Sequence, residues 1–180
     1  MSRNAFVIAL LAVLALTGFT GPVRAESPSI AIVDVEKIMA ESKAAKDLRA
    51  QLDAKKESFQ KEFAGKEKQL KETEDSLIKE RETLSPEEFA KKRKAYEEKV
   101  METRKLFDKS RNSLEKGLAG AMGEMNKTIV EATAAVAEEK GYDVVMRREN
   151  VLIAANALDI TKDVLAKIDA KVSKIQLKVE

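Results

Sequence analysis

The densest chemistry-bearing cluster in the sequence is Lys91-Lys92-Arg93-Lys94, four adjacent cations that can meet an anionic lipid headgroup, lipopolysaccharide or an acidic protein segment. The competing reading is a solvated helix face balanced by Glu87, Glu88, Glu97 and Glu98. Nucleic acid is not indicated as a partner, because little aromatic residue is interleaved with the cluster. The acidic pairs Glu74-Asp75 and Glu138-Glu139 are adjacent in sequence, so on a helix their carboxylates do not face one another and read as surface rather than as an acid/base dyad or hard-cation site. Gly117, Gly120 and Gly123 recur every third residue in a helical pattern, and no Gly-Lys-Ser or Gly-Lys-Thr follows, which excludes a phosphate loop.

The chain has no Cys and no His, so disulfides, thiol nucleophiles, thiolate zinc sites and every imidazole-based mechanism are excluded. No catalytic, cofactor-binding or metal-ligating residue can be named. A non-enzymatic, cofactor-free protein is expected. With 36% charged and only 4% aromatic residues among 180, the composition is lean for a compact globule and suits elongated helix.

Residues 1–25 read as a cleaved secretory signal: Arg3 is the positive start, Ala5 to Leu16 is apolar, and Val23-Arg24-Ala25 resembles a small-residue cleavage site. The apolar stretch is shorter than the roughly 20 residues a spanning helix needs, and Gly18, Gly21 and Pro22 interrupt it. Export of the mature chain is therefore expected. Of 33 basic and 31 acidic residues, Arg3 and Arg24 fall in this segment, which leaves 31 against 31 and a mature chain near neutrality.

The elements that must position the cluster follow from periodicity. Ile30 to Val35 is short, apolar and β-branched, which predicts a buried strand, with Asp34 capping the helix that follows. From Glu36 to Thr83 no Pro occurs, and Leu48, Leu52, Phe59, Phe63, Leu70, Leu77 and Leu84 recur at coiled-coil spacing. Leu84-Ser85-Pro86-Glu87-Glu88 is a helix start with a capping box, so the chain turns near 84–88 and a second helix returns. That helix carries Phe89, Tyr96, Val100, Phe107, Leu114, Leu118, Ala121, Met125, Ala132 and Val136 in steps of mostly three and four, and Phe59, Phe63, Tyr96 and Phe107 are expected in the seam. Gly141 suits a C-terminal cap. Tyr142 to Met146 and Val151 to Ala154 read as two strands joined by the turn Arg147 to Asn150, and Asp159-Ile160-Thr161 opens a final helix.

The expected fold is α+β: a long antiparallel helical hairpin inserted in a small body of three strands and one helix. Residues 26–45 and 117–180 form a discontinuous oligomerisation body, and 46–116 form the hairpin. Strands apolar on both faces with open edges call for self-association, without giving a subunit number. Gly117, Gly120 and Gly123 lie at the root of the hairpin, as a hinge or as a close-packing site opposite Ala50 and Ala54.

Ile30 to Ile38 with Glu41-Ser42-Lys43-Ala44-Ala45-Lys46, then Lys140-Gly141-Tyr142-Asp143-Val144-Val145 and Leu158 to Leu165, resemble the Skp/OmpH family of periplasmic chaperones over nearly all of the mature chain. The resemblance implies a homotrimer whose strands form a central barrel, with three hairpins hanging from it as tentacles. Its implied partners are unfolded outer membrane β-barrel proteins, held without nucleotide and passed to the outer membrane. The near-neutral charge departs from the strongly basic members. A structural or adaptor coiled coil that binds one folded envelope partner is the alternative.

Overall fold

A computed structural model of the chain describes residues 27–179; the segment read as a signal peptide lies outside the described residues. The order of elements is strand β1 (Ile30–Val33), helix α1 (Val35–Glu41), helix α2 (Lys43–Glu80), helix α3 (Pro86–Lys140), strand β2 (Val144–Arg147) and helix α4 (Thr161–Lys171). Single 3-10 turns occupy Arg148–Asn150 and Asn156–Leu158 between β2 and α4.

β1 and β2 pair in parallel, with Ile30 opposite Val144 and Val33 opposite Arg147. A parallel pair requires a crossover. Here the crossover is the entire hairpin, so the two ends of the chain meet in one body. Asp34 caps α1, its carboxylate accepting from the Lys37 N–H at 2.8 Å. The long first helix expected from Glu36 is broken at Ser42, whose extended backbone and side chain cap α2 instead. A carboxylate oxygen of Asp169 in α4 also accepts from the Lys43 N–H at 2.8 Å. Negative charge at a helix N-terminus is favourable, so the start of the hairpin is tied to the body there.

α2 has 38 residues and α3 has 55, which at 1.5 Å per residue are about 57 and about 80 Å long. They pack antiparallel. At the turn Ser85 accepts from the Glu88 N–H at 3.3 Å while the Glu88 carboxylate accepts from the Ser85 N–H at 3.2 Å, a complete capping box with Pro86 at the first helical position. Those hydrogen bonds from the Ser85 side chain and backbone hold the Glu88 carboxyl below the usual range. Ser85→Ala should cost about 1 kcal/mol, read as a lower denaturation midpoint or as faster hydrogen exchange confined to the first turn of α3. At the other end Gly141 adopts φ 70°, the left-handed conformation that closes the helix.

The core lies where β1, α1, α4 and the lower parts of α2 and α3 converge. Ile38, Met125, Val136, Ile160, Val164 and Ile168 are its most deeply buried large side chains, joined by Ile175 from the chain beyond α4. In the seam above it the Phe63 and Phe107 rings meet edge-to-face at 5.1 Å across the two helices, with Phe59 at 6.3 Å from Phe63. Leu77 is buried near the tip.

Three expectations are corrected. Among the described residues the body has two paired strands, not three. Val151 to Ala154 forms no ladder with any described residue, and the outer side of β1 is instead touched by a single bridge from Ile32 to Asp159. Arg147 belongs to β2 rather than to a turn. The first long helix ends at Glu80, where Thr83 and Leu84 N–H groups turn back onto the Glu80 carbonyl.

Candidate functional site

Among the described residues no group of three or more Asp or Glu side chains could hold a metal. Glu74 and Asp75 are exposed on α2, and Glu139 pairs across to Lys167 of α4. The acidic pairs therefore sit on solvated faces. Burial pushes the Asp159 carboxyl up, but the Thr161 hydroxyl and N–H, aided by Arg148 and Lys37, hold it below the usual range. One of its oxygens accepts from the Thr161 N–H at 2.8 Å, a local side-chain turn just before α4.

Lys91, Lys92, Arg93 and Lys94 are all exposed in the first turns of α3, beside the hairpin tip. Lys92 reaches across the turn to Glu80, which with the Ser76 hydroxyl lowers the Glu80 carboxyl. Arg93 pairs with Glu97 at 3.4 Å. Lys91 and Lys94 have no carboxylate partner among the described residues, so two of the four cations face solvent uncompensated.

Gly117, Gly120 and Gly123 occupy the root of α3. A Cβ built on Gly117 would lie 2.2 Å from the Lys178 carbonyl oxygen, so the close approach there is to the chain beyond α4. Ala50 and Ala54, expected opposite, are exposed. A Cβ on Gly120 or Gly123 would meet nothing within 4 Å.

The body carries apolar surface that a single chain leaves bare. Leu152 and Ile153 are 97% and 88% exposed, and Val144, Met146 and Val130 are exposed nearby in sequence on β2 and α3. These exposed Leu and Ile side chains stand next to a strand whose outer edge has no partner among the described residues. Reading Val151 to Ala154 as an apolar strand had found the segment but not its exposure. Sequence reading missed Gln51 and the last residues altogether; the alternation Ile175-Gln176-Leu177-Lys178-Val179 was the available signal.

The profile of the outer membrane protein (OmpH-like) family matches residues 29–168. The chain belongs to that family. This OmpH-like chain also superposes on the crystal structure of a protein described as an OmpH-like outer membrane chaperone from Caulobacter crescentus CB15, with a TM-score of 0.80 at 19% identity over 92% of this chain and 96% of that one. At that identity the likeness shows the fold: two long helices on a small sheet. No curated protein matches the chain significantly. For an OmpH-like protein, the sites worth weighing are thus the exposed body segment, the cationic tip and the hairpin seam.

Proposed function

We propose that this OmpH-like chain is an ATP-independent holding chaperone of the periplasm, exported by a cleaved signal peptide, that binds unfolded outer membrane β-barrel proteins, prevents their aggregation and assists their delivery to the outer membrane. The family match over residues 29–168 carries the reading. The working form is a homotrimer in which Leu152 and Ile153 and the open edge of β2 are buried between subunits, in a central barrel, and three hairpins enclose a cavity. Each hairpin offers weak, dispersed contacts. Several of them on three arms raise the effective concentration of binding surface around one client, which gives tight capture without any strong individual site. Release follows when the client folds and its apolar surface is withdrawn.

Lys91, Lys92, Arg93 and Lys94 form the outer contact of each arm, with anionic lipid, lipopolysaccharide or acidic client segments as partners. Lys91 and Lys94, without carboxylate partners, supply most of it. Of the three root glycines, Gly117 serves close packing against the Lys178 carbonyl, while Gly120 and Gly123 give the arm root a hinge that accommodates clients of different size.

The test is light scattering of a urea-unfolded outer membrane β-barrel protein diluted into nucleotide-free buffer, with and without the mature chain. Suppression near one oligomer per client is expected. Undiminished scattering, with the chain folded and oligomeric, would replace this reading by an adaptor coiled coil that binds one folded partner.

A further inference from the structure

Beyond α4, residues Val172 to Val179 run without helix or strand back across the root of the hairpin. Burial alternates along the last of them: Ile175 is buried, Leu177 and Val179 are half-buried, and Gln176 and Lys178 are exposed. The backbone of this tail is read by one side chain. Gln51 of α2 donates from Nε2 to the Ile175 carbonyl at 2.8 Å and accepts at Oε1 from the Leu177 N–H at 2.9 Å. Those two groups flank Gln176 on one edge of an extended chain, the same pair that a neighbouring parallel strand would engage. Asp47 accepts from the same Nε2 at 2.5 Å and so orients the amide. On the α3 side the Lys178 carbonyl rests over Gly117, and a Cβ there would stand 2.2 Å from that oxygen. An open groove of about 710 Å³ continues beside the tail, lined by Lys109, Ser113, Lys116, Gly120, Gln176 and Lys178.

A side-chain amide that mimics a strand, alternating apolar contacts, and a glycine that admits backbone make a receptor that reads the form of a chain rather than its sequence. Among the described residues no ion pair joins this segment to the hairpin, and both Gln51 hydrogen bonds go to main-chain atoms. We infer that the cleft between Gln51 and Gly117 binds an extended segment of alternating apolar and polar residues, the pattern of a membrane-spanning β-strand, and that residues 172–179 are its resident occupant, displaced when an unfolded outer membrane protein is captured. The inference rests on the holdase reading and names a contact for it. The tether gives the tail an effective concentration in the millimolar range, so a single isolated strand competes poorly. A client that engages several sites at once displaces it, and the tail's return favours release.

The experiment is hydrogen exchange on the unmodified oligomer with and without a urea-unfolded outer membrane β-barrel protein. The Leu177 amide, which donates to Gln51, is expected to exchange on the order of tenfold faster when client is bound, equivalent to about 1.4 kcal/mol of lost protection. Unchanged or increased protection with client captured overturns the inference and leaves the tail a structural strap, while the holdase reading stands. Absence of capture overturns both. As a second arm, Gln51→Leu is expected to speed tail exchange without client and also to weaken capture severalfold; faster exchange with full-strength capture likewise overturns the inference.

Discussion

Replacing Leu152 and Ile153 together by Ser is expected to leave each chain folded and to dissociate the proposed trimer. In the isolated chain these side chains are 97% and 88% exposed, and neither belongs to a helix or strand, so their removal takes nothing from the fold. Fully burying a Leu or Ile side chain is worth roughly 1.5–3 kcal/mol. Two such residues in each of three subunits amount to on the order of 10 kcal/mol, comparable with the whole free energy of a micromolar to nanomolar association. Sedimentation should show a shift from trimer to single chains, with helical circular dichroism unchanged and suppression of client aggregation lost. An unaltered mass would mean that the segment is not the assembly interface and that the open edge of β2 is covered otherwise.

Ile38→Ala should have the largest effect on the fold itself, about 2–5 kcal/mol. Ile38 has no solvent exposure and is the one buried residue of the short helix α1, where it joins the cluster built by Met125, Val164 and Ile168. Removing it opens a cavity where the start of the chain is held against α3 and α4. For a chain of this size the midpoint should fall by roughly 2–4 °C per kcal/mol. Ile78→Ala is the matched control: it deletes the same atoms from a side chain that is two-thirds exposed on α2, and should cost well under 1 kcal/mol. Equal effects at the two positions would contradict the placement of the core.

Local rules made much of the architecture readable before the fold was known. Ser85, Pro86 and Glu88 state a helix start in residue types alone, and the capping box forms as they dictate. Gly141 closes α3 for the same reason, because only the left-handed conformation satisfies the last carbonyls there. The spacing of Phe63 and Phe107 placed both in one seam. The break at Ser42 was less legible. Ser, Lys and Ala are all tolerated inside a helix, and what settles the break is Asp169, which is distant in sequence and meets the Lys43 N–H only in the folded body.

By itself the sequence determined a helical hairpin, its tip, its caps, the absence of imidazole and thiol chemistry, and the family, because each depends on residue type or on spacing within a few turns. The tertiary structure decided what depends on distant segments meeting. It pairs β1 with β2 in parallel across the whole hairpin, and leaves Val151 to Ala154 without a strand to join. It also sets Gly117 against the Lys178 carbonyl rather than against α2. A strand needs a partner to bond and a glycine needs a neighbour to admit, and neither partner is written near the residue that requires it.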